Sequence, residues 1–234
     1  MVQVTVVVLV AAALVIALGV ALVLVGARNG SAGTRGERIR RADRAATALL
    51  VVDVQEDFTR RSRRFGFGEE VLEPFFAALN GMQSVARAEG APVVHMRNVF
   101  DGALARLFSR LVVEGRGIAG RLGTRLDPRV ERTPGDEDLV KTKGDAFSNA
   151  KLDAVLRDAR VGHVVIAGLD GVACVTATAR GALQRGYRVT LLEDCILTAR
   201  PARWATLRRS LEHAGAEVRT SGDVARALAA RPRA

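Results

Sequence analysis

The sequence predicts an α/β protein: a three-layer α/β/α arrangement with a mainly parallel sheet of six strands, preceded by one N-terminal transmembrane helix. Three observations predict it. From Thr47 onward, apolar β-branched runs alternate with alanine- and leucine-rich stretches of helical spacing, a pattern that argues for parallel strands covered by helices on both faces. Several of those runs end in an acid, a lysine or a glycine, which is where the ligand crevice of an open parallel sheet lies. Ahead of them, Val6 to Val25 consists only of Val, Ala, Leu, Ile and Gly, and about 20 such residues span a bilayer as a helix.

Taken in order, residues 1–27 read as a membrane anchor. A cleaved signal peptide is the rival reading, with Gly26-Ala27 as its small-residue site, but no basic residue precedes the apolar run as it would in a signal. Residues 28–46 read as a basic linker carrying Arg28, Arg35, Arg38, Arg40, Arg41 and Arg44 against Glu37 and Asp43. Positive charge stays on the cytoplasmic side, so the expectation is a single-pass membrane protein with residues 47–234 facing the cytoplasm. A chain beginning near Arg41 is expected to fold by itself.

Within 47–234 the expected strands are Thr47–Val54, Pro92–Arg97, Asp138–Lys141, His163–Ala167, Val189–Glu193 and Glu217–Arg219. The expected helices are Glu73–Glu89, Ala150–Arg157, Ala173–Arg185, Ala202–Ala214 and Val224–Ala230. Pro74 and Pro201 stand at helix starts, and Gly90, Gly186 and Gly215 just past helix ends, the asymmetry that helices prefer. Val99–Pro134 is rich in Gly and Arg with weak periodicity, and reads as an irregular excursion holding one short helix near Ala103–Leu111.

Composition narrows the function classes. The 234 residues carry a net charge of +10, much of it beside the apolar run, where anionic lipid headgroups account for it. Aromatic residues are 4% of the chain and no basic helix stands out, so a nucleic-acid partner is not expected. Two cysteines give no disulfide framework and fit a reducing compartment. His95, His163 and His213 are scattered, so no metal site is expected, and no cofactor is called for.

The chemistry centres on Cys174. It follows the apolar run His163–Ala167 and the loop Gly168-Leu-Asp-Gly-Val-Ala, a strand-to-helix elbow where a helix N-terminus favours thiolate. The plainer alternative is a small buried apolar residue. Asp53 ends the run Ala48–Val52, and Lys141 ends Asp138–Lys141, with Lys143 a second cation nearby. In a parallel sheet all three fall at the crevice edge, and together an acid, a cation and a thiol make a nucleophilic set: the carboxylate takes the thiol proton and the ammonium orients the carboxylate.

Val-Val-Asp53-Val-Gln55-Glu-Asp57-Phe58, Val-Lys141 six residues ahead of Phe147, Gly168 six residues ahead of Cys174-Val, and Glu193-Asp194 resemble, in order and spacing, the isochorismatase-like cysteine hydrolases. That superfamily includes nicotinamidases and N-carbamoylsarcosine amidases. The resemblance covers about Thr47 to Ala199. It implies a Rossmann-like hydrolase domain over 47–234 with Asp53, Lys141 and Cys174 as catalytic triad, Lys141 being preferred to Lys143 by its spacing to Phe147. It implies a cis peptide between Leu169 and Asp170, with the backbone N–H groups of Asp170 and Cys174 as oxyanion hole. Gln55 and Phe58 would bind substrate, with core filling the alternative for Phe58. A small-molecule substrate and homo-oligomerisation follow from the resemblance alone.

Two departures bear on substrate. Asp170-Gly171 stands where relatives carry small or hydroxyl residues, and a carboxylate there would repel anions. The histidines that hold metal in nicotinamidases are absent, and His95 reads as a satisfied strand residue. Cys195 reads as structural. Arg60-Arg61-Ser-Arg63-Arg64 is a solvated loop, or else closes over the site or touches lipid. The leading expectation is a membrane-tethered hydrolase of small amide-type C–N bonds working through a Cys174 thioester. Two alternatives stay open: vinyl ether hydrolysis driven by the acid, and a membrane-anchored binding module.

Overall fold

A computed structural model describes residues 32–60 and 66–230, with Gly19 the one described residue ahead of them. Six strands form the sheet: β1 (Ala46–Val52), β2 (Val93–Asn98), β3 (Glu137–Lys141), β4 (Val161–Gly168), β5 (Arg188–Ile196) and β6 (Ala216–Arg219). Their order is β3-β2-β1-β4-β5-β6 and every pairing is parallel. The chain winds outward one way from β1 and then the other way from β4. The crevice of such a sheet opens between those two strands, at their carboxyl ends.

Both faces of the sheet are buried, as the unbroken apolar runs require. The helical elements are α1 (Glu56–Thr59), α2 (Glu69–Ala88), α3 (Ala103–Val112), α4 (Ala150–Asp158), α5 (Thr176–Gln184), α6 (Pro201–His213) and α7 (Ser221–Ala229). In β1, Ala48, Leu50 and Val52 pack with residues of α4, α5 and α6, whereas Leu49 and Val51 pack with those of α2 and α7. Period-2 alternation thus assigns successive side chains to two separate apolar layers.

The expected elements recur with shifted bounds, and three shifts matter. Helix α2 begins at Glu69, so Pro74 lies inside it rather than at its start; its missing N–H leaves only the carbonyl of exposed Glu70 without a helical donor. Cys174 is not in the first turn of α5 but in a wider π-type turn, Gly171–Val175, ahead of it. Finally, residues 33–46 do not form a free linker. Thr34 and Ile39 are hydrogen-bonded to Asp145 and Arg185, and Arg160 donates to the Asp43 carbonyl. Residues 28–31 lie outside the described residues, as does the expected anchor Val6–Val25 apart from Gly19. Among the described residues, no helix is long and apolar enough to cross a membrane.

The excursion after β2 is held from beneath by Asp136. Arg87 of α2 donates to both its carboxylate oxygens, at 3.0 and 2.8 Å, and the N–H and hydroxyl of Thr133 add two more donors. Burial by itself would raise this carboxyl, but those bonds outweigh it and bring the pKa down to about 2. The group is ionised in the fold at pH values where a free carboxyl protonates, so its contribution is complete above pH 3.8 and is lost as the pH falls towards about 2. We expect Asp136→Asn to lower the unfolding free energy by about 2 kcal/mol near neutrality. The gap from the parent protein should close in acid, as read by urea unfolding across the pH range.

Candidate active site

Asp53 is the first residue past β1, and its backbone turns there with φ at 56°. That left-handed conformation is uncommon for a residue with a side chain, and such positions concentrate at functional sites. Its N–H bonds the Met96 carbonyl at 2.7 Å, and its carbonyl accepts from Gln55 at 2.8 Å, so the carboxylate is aimed by the main chain on both sides. Lys141 is the last residue of β3, in register with Asn98 of β2. β2 separates β3 from β1, and two strand spacings are about 10 Å, so a long side chain is needed to cross. Lys141 does so: its Nζ lies 2.9 Å from Asp53 Oδ2 and 3.2 Å from the Lys143 carbonyl.

Both groups are almost wholly shut from water, Lys141 at 1% and Asp53 at 3% exposure. For Lys141, burial opposes the charge, but Asp53 and then Cys174 outweigh it and raise the pKa. For Asp53, burial raises the pKa and Lys141 only partly offsets that. Cys174 sits close enough to shift the titration of both, and its own thiol is pushed up, first by burial and then by the Asp53 carboxylate. The helix-terminus expectation is therefore reversed. A helix dipole contributes about 0.3–1 kcal/mol, whereas burying a thiolate beside a carboxylate costs several times that. Here the sulfur rests as a thiol with a base beside it.

The loop after β4 closes the site. Gly168 has φ at 116°, and a Cβ there would lie 2.0 Å from the Val52 carbonyl oxygen, so only glycine lets β4 leave the sheet this close to β1. The Leu169–Asp170 peptide is cis. The N–H groups of Leu169 and Gly171 bond Val52 and Leu197, while that of Asp170 has no acceptor among the described residues. The Asp170 carboxylate is engaged elsewhere: Oδ1 caps the Val172 N–H at 3.1 Å and Oδ2 pairs with Arg200 at 3.4 Å. Both of its oxygens are thus engaged, one on the turn and one on a cation.

A match to the Isochorismatase domain extends over residues 47–223. The chain belongs to the isochorismatase family. It is 35% identical to a streptothricin hydrolase of Streptomyces noursei over 157 residues, which are 67% of this chain and 56% of that protein. The chain thus spans little more than half the length of that relative. It is 27% identical to the ureidoacrylate amidohydrolase RutB of Caulobacter segnis over 180 residues, covering 68% of this chain and 75% of that one. Among solved structures, N-carbamoylsarcosine amidase from Thermoplasma acidophilum superposes with a TM-score of 0.64 at 26% identity, over 76% of this chain and 97% of that one.

Within this isochorismatase-family crevice, the structure brings Asp53, Lys141 and Cys174 together and sorts the other expectations. Gln55 is fully buried, and its amide is already used: Nε2 donates to the carbonyls of Asn98 and Thr124, and Oε1 accepts from the Asn98 N–H at 2.6 Å. It braces the ends of β1 and β2 from a fully buried position, contrary to the expectation that it would bind substrate. Phe58 is half-buried against the α2-side layer. Lys143 is exposed and contributes only its carbonyl. His95 is buried on β2 with Nε2 3.5 Å from Asp136 Oδ2, far from any set of ligands; among the described residues no group of three or more His, Cys, Asp or Glu could hold a metal. Cys195 lies in the α2-side layer. Arg60 pairs with Glu56, and residues 61–64 lie outside the described residues.

Sequence reading missed two contributors. Trp204 of α6 lies against Gly171, where a Cβ would meet its ring at 3.0 Å, and so backs the loop that follows β4. Asn98 keeps a buried Oδ1 with no hydrogen-bond partner among the described residues, beside the Lys141 strand end. Neither stands in a motif; an aromatic residue on a late helix carries no signal of what it faces.

The electrostatics are testable without any substrate. Alkylation of Cys174 by iodoacetamide should be slow at neutrality and still rising above pH 9, because the thiol is held above its usual range. Asp53→Asn removes a charge that raises the thiol pKa and should move the profile to lower pH. Lys141→Met removes one that lowers it and should move the profile to higher pH. Mass spectrometry of the Cys174 peptide across the pH range reads both shifts.

Proposed function

We propose that this protein is a cysteine hydrolase of small amide-type C–N bonds, working through a thioester on Cys174. The observation that supports it most is the buried Lys141–Asp53 contact at 2.9 Å with the Cys174 thiol beside it. Asp53, ionised by its lysine, takes the S–H proton as sulfur attacks the substrate carbonyl. The oxyanion that forms is met by the N–H groups of Asp170 and Cys174. Asp53 then returns its proton to the departing nitrogen, the C–N bond breaks, and an amine or ammonia leaves. Water attacks the thioester, Asp53 accepts its proton, and sulfur departs and recovers that proton as the acid is released. The raised pKa of Asp53 suits a group that must hold a proton between those steps.

The relatives named for ureidoacrylate and N-carbamoylsarcosine support ureido and carbamoyl compounds as the first substrates to try. Screening small amides, ureides and carbamoyl acids for ammonia release tests the reaction class. Cys174→Ala and Asp53→Asn should each lower kcat by at least about 10⁴-fold, the scale set by removing a nucleophile or its base, with the circular dichroism spectrum unchanged. Full turnover by Cys174→Ala would overturn the proposal.

The membrane tether is the second part of the reading. It is supported by the uninterrupted apolar stretch Val6–Val25 and the arginines behind it. The protein should sediment with membranes and resist extraction by high salt, which releases proteins held by charge alone. Mature chains beginning near Asn29 would show a cleaved signal instead.

A further inference from the structure

The segment ahead of the family domain is bound into the active-site framework. Thr34 donates from both its N–H and its hydroxyl to Asp145 Oδ2, each at 2.6 Å. Its carbonyl accepts from Arg185 Nη1 at 2.7 Å, and the Arg35 carbonyl accepts from Nη2 at 3.3 Å. Further along, the Ile39 N–H bonds the Arg185 carbonyl at 2.8 Å. Arg185 is nearly buried and its guanidinium lies 4.6 Å over the Phe147 ring. Segment, Asp145 and Arg185 thus make one clasp of main-chain and side-chain bonds.

Asp145 stands at the turn that follows Lys141. Its exposure is 1%, its Oδ1 caps the Phe147 N–H at 2.9 Å, and its carbonyl accepts from the Ser148 side chain at 2.7 Å. The next residue, Ala146, donates to Thr178 of α5 at 3.0 Å. Gly181 of α5 leaves the space that the carboxylate fills, since a Cβ there would lie 2.2 Å from Oδ2. This one turn therefore joins β3, which carries Lys141, to α5, which follows Cys174. It also contains Lys143, whose carbonyl accepts from the Lys141 ammonium. With Thr34 removed, Oδ2 would be a buried carboxylate oxygen without its two donors, and such a group moves or protonates.

We propose that Thr34, acting through Asp145, is a positioning residue for Lys141, so that residues 33–39 are part of the hydrolase's active-site framework rather than a spacer. The inference rests on the Asp53–Lys141–Cys174 reading of the site. Lys141 lowers the Cys174 pKa, so a displaced ammonium makes the thiol harder to ionise even where folding is unaffected.

The test uses the full-length chain and the pH profile of iodoacetamide alkylation at Cys174. Thr34→Val keeps the size and the N–H and deletes the hydroxyl donor. It should slow alkylation at least about threefold at fixed pH, the effect of half a pKa unit, and move the profile to higher pH. Thr34→Ser should restore the parent profile. Asp145→Asn, which keeps an oxygen for the Phe147 N–H but loses the charge that Thr34 satisfies, should move the profile in the same direction as Thr34→Val. Parent-like profiles in both Thr34→Val and Asp145→Asn would overturn the inference. Alkylation reads the thiol whether or not the protein turns over an amide, so that result is distinct from retained activity in Cys174→Ala, which would overturn the reaction instead.

Discussion

The constraint on which the site depends is the burial of two opposite charges, Asp53 and Lys141, at the carboxyl edge of the sheet. Either charge alone in that place would cost several kcal/mol, and the pair persists because its geometry is good and most of its other polar positions are held. The main chain holds Asp53 from both sides, the Lys143 carbonyl takes a second ammonium proton, and Gln55 ties the intervening strand end to β1. The polar groups around the crevice are thus mostly accounted for by holding one ion pair in place. That leaves Asp53 Oδ1 buried with no hydrogen-bond partner of normal geometry among the described residues, in a site whose third member is a thiol.

The same pair explains why the thiol does not need a helix dipole. A preformed thiolate would put two anions beside one cation, and burial together with Asp53 opposes it. A thiol next to a carboxylate that is itself paired with a lysine is the neutral arrangement. The wider turn at Gly171–Val175 fits this division of labour. It brings the Cys174 side chain to the ion pair, while Asp170 caps the turn and Trp204 backs it.

Attachment of residues 33–46 changes where the globular unit begins. The family match starts at Thr47, but the clasp of Thr34, Asp145 and Arg185 adds an outer strap across α5 and the turn after Lys141. Residues 34–39 therefore pack beside the turn that follows Lys141 instead of standing free of the domain.

The sheet, its six strands and the three distant residues at their ends were legible in the sequence, because parallel strands buried on both faces must be written as apolar runs and because a crevice lies only where such runs stop. Asp53, Lys141 and Cys174 each terminate or follow one. What the sequence by itself could not determine is what each polar side chain meets. Gln55 looked like a substrate ligand and is a buried brace; Asp170 looked like a free charge and is capped and paired; Thr34 looked like linker and is bound at the turn that follows Lys141. Local pattern records whether a residue is apolar and where an element ends. Hydrogen-bond partners 43, 111 or 151 positions away are decided only when the packed layers bring them together. So the tertiary structure alone decided that the thiol is held protonated, since its pKa follows from burial and from a carboxylate 121 residues upstream, Asp53 against Cys174, neither of which the helix-terminus pattern contains.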